Sequence, residues 1–281
     1  MASFTETDIS ATAVAVAHFR ALESSRDDAL FCDEFASLFV DASGLPVSGI
    51  GLSEVTSNRV YLSVAVRTHW LDAGVVDAAS AGCRQVVLLG AGLDARAVRL
   101  DVPAQTRFFE IDLPNVLAFK RSVLAANRAE PRCEYIDVAA DLTAGDWPTR
   151  LIDAGFDPAQ PTVWVAEGIL IYFDSSTNDR ILDAVSEVSA AGSRLLCGHF
   201  GAGSLTEAQT REMTRRTSSA GYGFQSWVAD PKAWLAEWGW DVTATTIKAH
   251  GATLGRDLPY EETPGREIAW LVAAARRSEC A

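Results

Sequence analysis

The sequence of 281 residues is 48% hydrophobic, which is enough to bury a sizeable core, and it is long for one domain but short for two. Its formal net charge is −13, and no basic face of the kind that neutralises nucleic-acid phosphates is visible, so we expect no nucleic-acid partner. No apolar run approaches the roughly 20 residues that span a bilayer. The N-terminal segment lacks the basic and apolar regions of a secretion signal, so we expect no membrane partner either.

The cysteines indicate a reducing compartment. The five cysteines form no CxxC pair and have no spacing typical of metal ligands. Cys83, Cys133 and Cys197 lie in or beside apolar runs, where a reduced thiol behaves as a small hydrophobic side chain. We therefore expect a reduced cytoplasmic protein without a bound metal.

The first part of the chain is predominantly helical in pattern. Residues 8–24, 30–40 and 54–80 have apolar side chains at helical spacing, with a turn-rich connector at 44–51. These patterns predict an N-terminal helical cap over residues 1–84.

From residue 85 onward, apolar strand patterns alternate with helical ones, which is typical of a doubly wound parallel sheet. Strands are predicted at 85–90, 106–111, 133–138, 161–167, 194–200, 241–248 and 267–275. Helices are predicted at 94–100, 114–128, 147–155, 175–190, 205–219 and 231–238. Only a turn-rich segment separates the last two strands, which predicts an antiparallel pair with no helix between them. We predict one compact α/β unit over 85–281 with a seven-stranded Rossmann-like sheet.

The first strand ends in a glycine loop, Gly90-Ala91-Gly92, and a helix start at Asp94 follows. Glycine permits a tight turn and a close approach of ligand to backbone, and the free N–H groups of a helix start suit an anionic ligand group. Asp112 lies 20 residues beyond Gly92, at the end of the second strand, where a carboxylate can accept hydrogen bonds from ribose hydroxyls. This pattern fits both a dinucleotide site and an S-adenosylmethionine (SAM) site.

Two features favour SAM over a dinucleotide. About 80 residues, mostly helical in pattern, precede the first strand, whereas a dinucleotide domain often begins near its own. The seventh strand also suits a methyltransferase sheet. A nicotinamide-dependent oxidoreductase remains the alternative, although the chain has no YxxxK motif.

Longer strings carry a specific resemblance. VVLLGAGLDARAVRL at 86–100, FFEIDLPNVLAFKRSVL at 108–124 and VAADLTAGDWPTRLIDAGFDPAQPTVWVAEGILIYF at 138–173 occur in order, and ALESSRDDALFCDEFASLFVDASG precedes them. The chain resembles the leucine carboxyl methyltransferase family of SAM-dependent O-methyltransferases over residues 10–200, including a bacterial branch associated with small-molecule and polyketide methylation.

The resemblance implies roles for residues at the strand ends. The loop Gly90-Ala91-Gly92 would lie against the methionine portion of SAM, and Asp112 would bind its ribose. Asp141 and Leu142 would lie beside the adenine, although Asp141 can equally be a loop cap. Glu110, two residues before Asp112, would share its strand face and is a second candidate for the ribose.

Two charged residues complete the implied cofactor site. Arg67 would pair with the cofactor carboxylate, and the alternative is an arginine that reaches solvent along the helix surface. Glu167 ends an apolar strand, where a carboxylate needs a bound cation or an internal salt bridge. The chain departs from the family at Ala95, where a threonine is frequent, and a basic residue of the first helix has no clear match beyond Arg20 or His18.

Methyl transfer is an in-line displacement that depends mainly on alignment and exclusion of water. A carboxylate acceptor needs no base, whereas a phenol or alcohol usually benefits from one. The candidate base is His199, at the carboxyl end of a predicted strand, with a structural histidine as the alternative and catalysis by proximity if no base acts.

Aromatic side chains near the strand ends suggest where an apolar acceptor would bind. Tyr172, Tyr222, Phe224 and Trp227 are the candidates, with ordinary core packing as the alternative. The chain is therefore predicted to transfer methyl from SAM to a carboxylate or hydroxyl of a small, polyketide-type molecule. A methyltransferase fold recruited for a non-methylating reaction is a further alternative, and a homo-oligomer is left open.

Overall fold

The computed structural model describes residues 11–45, 54–205 and 223–277. The strands are β1 Gln85–Leu89, β2 Arg107–Asp112, β3 Glu134–Ala139, β4 Thr162–Glu167, β5 Arg194–Phe200, β6 Trp240–Thr246 and β7 Ala269–Arg276. The α-helices are α1 Ala11–Ser24, α2 Ala36–Ser43, α3 Glu54–Ser80, α4 Arg96–Arg99, α5 Pro114–Ala126, α6 Trp147–Asp153, α7 Ser175–Glu187, α8 Pro231–Ala236 and α9 Ile247–Thr253. Short 3-10 turns follow β4 at Leu170–Tyr172 and β5 at Ala202–Leu205.

The strands form one seven-stranded sheet in the order β3-β2-β1-β4-β5-β7-β6. Strands β1 to β5 are parallel, and β7 runs antiparallel to both β5 and β6. The chain order reverses between β1 and β4, and in open sheets of this kind the crevice beyond the carboxyl ends of such strands is where ligands bind. The predicted α/β class, the seven strands and the terminal antiparallel pair are confirmed.

Helices cover both faces of the sheet, so its central strands are apolar on both sides. One face packs Trp164 and Leu195 against α6, α7 and α8 through Trp147, Leu182 and Leu235, all of them fully buried. The other face packs Val86 and Val163 against Leu71 and Val75 of α3. The two faces together bury the core that the hydrophobic content predicts.

Among the described residues, three helices precede β1. Helix α3 crosses the sheet beside β1, β4 and β5, and α1 packs on it. Helix α1 also lies over the glycine loop, because a side chain at Gly92 would come within 3.8 Å of Ala13. The division into a cap over 1–84 and a sheet unit over 85–281 stays a prediction. No helix in the described ranges is long and apolar enough to cross a membrane.

Two helices differ from the prediction, and one predicted helix lies mostly outside the described residues. The expectation that no helix separates the last two strands is wrong: α9 lies there, capped by the Thr246 hydroxyl, which accepts from the Ala249 N–H at 3.0 Å. Glycine suggested a turn, but Gly251 sits in a helix where a side chain would meet Arg256 O at 2.7 Å. Helix α4 is only four residues long, against seven predicted. The predicted helix 205–219 falls almost wholly outside the described residues.

Candidate functional site

The glycine loop makes a tight turn at the carboxyl end of β1. Gly90 and Gly92 have φ angles of 67° and 51°, a left-handed backbone that glycine adopts without strain. The N–H groups of Gly90 and Ala91 both donate to Ile111 O, at 2.9 and 3.1 Å. The loop is therefore fixed to the end of β2, where Asp112 lies.

Asp112 faces this loop. Its Oδ2 accepts from the Gly92 N–H at 2.6 Å, and its Oδ1 accepts from the Leu113 N–H at 2.7 Å. Burial raises the pKa of this carboxyl, and the two backbone donors oppose that effect. The carboxylate is thus held in one orientation at the point where the sequence pattern places a ribose ligand.

Glu110 does not share that position. It is fully buried, and its Oε2 accepts from Lys120 Nζ at 2.5 Å and from the Tyr135 hydroxyl at 2.7 Å. Burial raises its pKa to about 7 against the opposing charge of Lys120. Glu110 is therefore paired with Lys120 and Tyr135 inside the protein.

Asp141 and Leu142 follow β3 at the same edge of the sheet. Asp141 is exposed, and its Oδ1 accepts from the Thr143 N–H at 2.8 Å and the Thr143 hydroxyl at 2.7 Å. Leu142 is 7% exposed and packs into the core. In this geometry Asp141 caps its own loop, and its role beside an adenine stays a prediction.

Glu167, at the end of β4, lies among three guanidinium groups. Its Oε1 is 2.9 Å from Arg20 Nη2 and 3.1 Å from Arg67 Nε, and its Oε2 is 2.7 Å from Arg96 Nη1. Burial acts to raise the pKa of Glu167, but the three cations together hold it well below its usual range. Of the two alternatives left open in the sequence, the structure contains the internal salt bridge.

The ion pairs extend away from Glu167 toward α3 and α4. Arg96, which is not exposed at all, also pairs with Asp94 and, at 2.6 Å through Nε, with Asp72 of α3. Asp72 in turn binds Arg99 at 2.6 Å. Asp94 Oδ1 accepts from the Arg96 N–H at 2.7 Å, so the helix start expected to face a ligand is partly satisfied by the protein itself.

Sequence reasoning missed most of this network. Arg96 and Asp72 went unassigned, Asp94 was named only as the start of a helix, and Arg20 was named only as a nearby basic residue. One signal was available: these charges interrupt apolar helical patterns, and buried charges are normally paired. The sequence does not show which residues pair, because the partners lie on elements far apart in the chain.

Arg67 has a free end beside the glycine at the end of β4. Its Nε binds Glu167, while its two Nη atoms make no hydrogen bond to another described residue. The guanidinium lies 3.7–3.8 Å from where a side chain at Gly168 would begin, and its Cδ lies 2.9 Å from the equivalent point at Gly198. Both glycines thus leave room for Arg67, whose side chain is 16% exposed.

His199 lies on the other face of the sheet from Arg67, because neighbouring residues of β5 alternate in direction. The ring is 3% exposed, and burial lowers its pKa to about 4, so it is neutral at pH 7. Its Nδ1 lies 3.1 Å from Phe200 O and its Nε2 lies 3.0 Å from Ser226 Oγ. Since a carbonyl only accepts, Nδ1 carries the proton, and both nitrogens are engaged. Its catalytic role stays a prediction that this geometry does not favour.

Two of the four candidate aromatic residues lie together near Arg67. Tyr172 and Phe224 have ring centroids 5.3 Å apart, and Phe224 contacts Phe200 edge-on at 4.9 Å. Burial raises the pKa of Tyr172, whose hydroxyl bonds to Thr12 of α1. Trp227 lies further along, beside α7 and α8. Tyr222 lies outside the described residues.

The sequence is similar to a known family of methyltransferases. The family model described as leucine carboxyl methyltransferase matches residues 13–186. A protein of Streptomyces avermitilis, named for an inferred SAM-dependent methyltransferase activity, is 42% identical over 282 residues and covers 95% of each chain. A similarly named protein of Frankia alni is 41% identical over 276 residues, covering 95% of this chain and 94% of its own.

Solved structures show the same fold at low sequence identity. One is the crystal structure of a Thermobifida fusca protein that is named a methyltransferase by inference. Its sequence is 17% identical to this chain, and the two structures superpose with a TM-score of 0.61 over 96% of each chain. A DUF574 family protein from Streptomyces avermitilis is 15% identical with a TM-score of 0.64, covering 97% of this chain and 99% of its own. The match of the family model over more than half of the chain, with relatives above 40% identity, shows that this chain belongs to the leucine carboxyl methyltransferase family.

Proposed function

We propose that this chain transfers the methyl group of SAM to an oxygen, a carboxylate or a hydroxyl, of a small polyketide-type molecule. The general activity follows from the family: the chain is a SAM-dependent methyltransferase. The observation that supports SAM as the methyl donor is the free guanidinium end of Arg67 at the same sheet edge as Asp112 and the glycine loop.

The residues present suit the chemistry of SAM. The free Nη atoms of Arg67 supply a cation for its carboxylate, and the left-handed turn at Gly90 and Gly92 exposes backbone to its methionine part. Asp112 supplies an acceptor for ribose hydroxyls, and we place Leu142 and Asp141 beside the adenine. Glu167 acts here through Arg67, since it holds the guanidinium in position by its Nε.

When bound, SAM supplies an activated methyl group on a sulfonium. The protein's own task is to hold the acceptor oxygen in line and to keep water away, and positioning contributes on the order of 7–11 kcal/mol in such reactions. Helix α1 covers the loop at Gly92, and Thr12 of that helix bonds to Tyr172. We infer that residues 1–84 form the cap that excludes water and that Tyr172 and Phe224 contact the acceptor.

A carboxylate acceptor fits this site better than a hydroxyl. His199, the candidate base from the sequence, has a pKa lowered by burial to about 4, which makes it a weak base; both of its ring nitrogens are engaged, and it faces the other side of the sheet. A carboxylate is already ionised at pH 7 and needs no proton removed, whereas an alcohol usually does.

The test uses the full chain with methyl-labelled SAM and a panel of aromatic and polyketide-type carboxylic acids and phenols. A methyl ester releases volatile labelled methanol in mild base, whereas a methyl ether does not. We expect base-labile label with carboxylic acids, and strong loss of product in Arg67→Ala. Label found only in ethers would exclude the carboxylate. Binding of NAD without binding of SAM would overturn the whole proposal.

A further inference from the structure

Gly198 lies near the carboxyl end of β5, which pairs with a strand on each side. Glycine weakens a strand, and in such a place it often marks the close approach of another group. The group here is Arg67: a Cβ at Gly198 would lie 2.9 Å from Arg67 Cδ and 3.6 Å from Arg67 Cγ. The next atom, Trp270 O, would lie at 3.8 Å, which is ordinary contact. The space that Gly198 leaves is therefore filled by the stem of one arginine.

Three contacts fix Arg67 over this part of the sheet. Its stem lies on Gly198, and its guanidinium lies 3.7–3.8 Å from where a side chain at Gly168 would begin. Its Nε donates to Oε1 of Glu167 at 3.1 Å, and Glu167 is the residue of β4 that pairs with Gly198 of β5. The arginine thus reaches Glu167 across the place that a side chain at position 198 would fill.

The same helix and strand meet again about two turns further along α3. There the missing side chain is on the helix, because a Cβ at Gly74 would lie 2.8 Å from Cδ1 of Leu196. Leu196 and Gly198 are two residues apart in β5 and so face the same side of the sheet. Gly74 makes room for an apolar core side chain. Gly198 makes room for a charged one, whose two Nη atoms make no hydrogen bond to another described residue.

We propose that Gly198 is a positioning residue for the cofactor: by admitting the stem of Arg67, it directs the free Nη atoms of that guanidinium to the carboxylate of SAM. This inference rests on the role of Arg67 given under the proposed function. Carbon atoms in contact normally lie about 3.5–4.0 Å apart, so a methyl group at position 198 would move the stem by roughly half an ångström or more. Hydrogen bonds weaken steeply when they are misaligned, so the hold on the carboxylate would be lost.

The test compares the binding of two ligands to the full chain by calorimetry. S-adenosylhomocysteine carries the amino-acid carboxylate, whereas 5′-methylthioadenosine keeps the adenine, ribose and sulfur but lacks the amino-acid end. Gly198→Ala should weaken S-adenosylhomocysteine binding about tenfold, which corresponds to the loss of a hydrogen bond to a charged group. It should leave 5′-methylthioadenosine binding unchanged, and Arg67→Ala should show the same selectivity. A general distortion of the site would weaken both ligands.

Two further variants separate positioning from packing. Gly74→Ala is the matched control, since it adds the same methyl group to the same helix and strand at a similar distance, and it should change neither affinity. The double variant of Arg67→Ala and Gly198→Ala should bind S-adenosylhomocysteine as weakly as Arg67→Ala alone, because a truncated residue 67 no longer meets the added methyl group. If Gly198→Ala alone does not fold, the double variant should fold, because the contact is relieved.

Four results would each overturn the role of Gly198 while Arg67→Ala still weakens S-adenosylhomocysteine binding. They are an unchanged affinity for this ligand in Gly198→Ala, an equal loss for both ligands, an equal effect of Gly74→Ala, and additive losses or failure to fold in the double variant. An unchanged affinity in Arg67→Ala would overturn the role of Arg67 itself, and with it both this inference and the placement of the cofactor carboxylate under the proposed function.

Discussion

Replacing Glu167 by glutamine should destabilise the protein far more than any exposed ion pair would. The side chain is 8% exposed and lies within 3.1 Å of three guanidinium groups, two of which, Arg20 and Arg96, are at most 5% exposed. Glu167→Gln keeps the shape and removes the charge, so these cations lose a shared partner in a buried place. Removing one partner of a buried ion pair costs about 3–5 kcal/mol, and we expect a loss of that size in urea unfolding.

The matched control is Glu134→Gln. Glu134 pairs with Arg107 at 2.9 Å, but its side chain is 58% exposed, so the change should cost at most about 1 kcal/mol. If both variants lost the same stability, the reasoning that Glu167 neutralises the buried cations would be refuted.

The pH dependence gives an independent check on Glu167. Because its pKa is held well below the usual range in the native protein, the carboxylate stabilises the fold above its unfolded pKa of about 4.5, and this contribution is lost as the pH falls below that value. Glu167→Gln should lack this part of the acid sensitivity. An unchanged slope of stability against pH below about 5 would contradict the assignment.

Three further predictions concern single residues. Asp112→Asn should weaken S-adenosylhomocysteine binding by about 1–3 kcal/mol in calorimetry, whereas Asp146→Asn, an exposed control, should not; equal affinities would remove Asp112 from the site. Burial raises the pKa of Glu110 to about 7, so the native protein holds a proton that the unfolded chain releases near 4.5 and stability falls as the pH rises from about 5 to 8. Measured by urea unfolding, the free energy of unfolding of the unmodified chain should fall between these two pH values by roughly 3 kcal/mol more than that of Glu110→Gln. Parallel curves of stability against pH for the two proteins would contradict this. Burial lowers the pKa of His199 to about 4, so its ring ¹⁵N shifts should report a neutral imidazole from about pH 5 to 8, and a transition near 6.5 would disprove the buried network.

The sheet was predictable because its strands are short apolar runs bounded by turn residues. All seven strands form near the positions that the apolar runs indicate, and β1 and β4, the clearest of these runs, are buried along nearly their whole length. Helix α9 was missed because Gly251 reads as a turn residue, whereas in the fold it allows Arg256 to approach closely.

The site was predictable in its positions and less so in its partners. The ends of β1, β2 and β4 place the loop, Asp112 and Glu167 at one edge, as strand-end patterns imply. The pairing of Glu167 with Arg20 of the first helix depends on how α1 packs across the sheet. That packing is set by long-range contacts, which single residues in a sequence do not reveal.

The position of β7 has a consequence for how the chain folds. Strand β7 is inserted between β5 and β6, although both of these precede it in the chain. Until Arg276 has been synthesised, β5 presents an unpaired edge of apolar sequence, and β6 has no neighbour at all. Unpaired edges of this kind are prone to associate with other chains. The docking of residues 269–276 therefore completes the pairing of both strands and removes the exposed edge in one step.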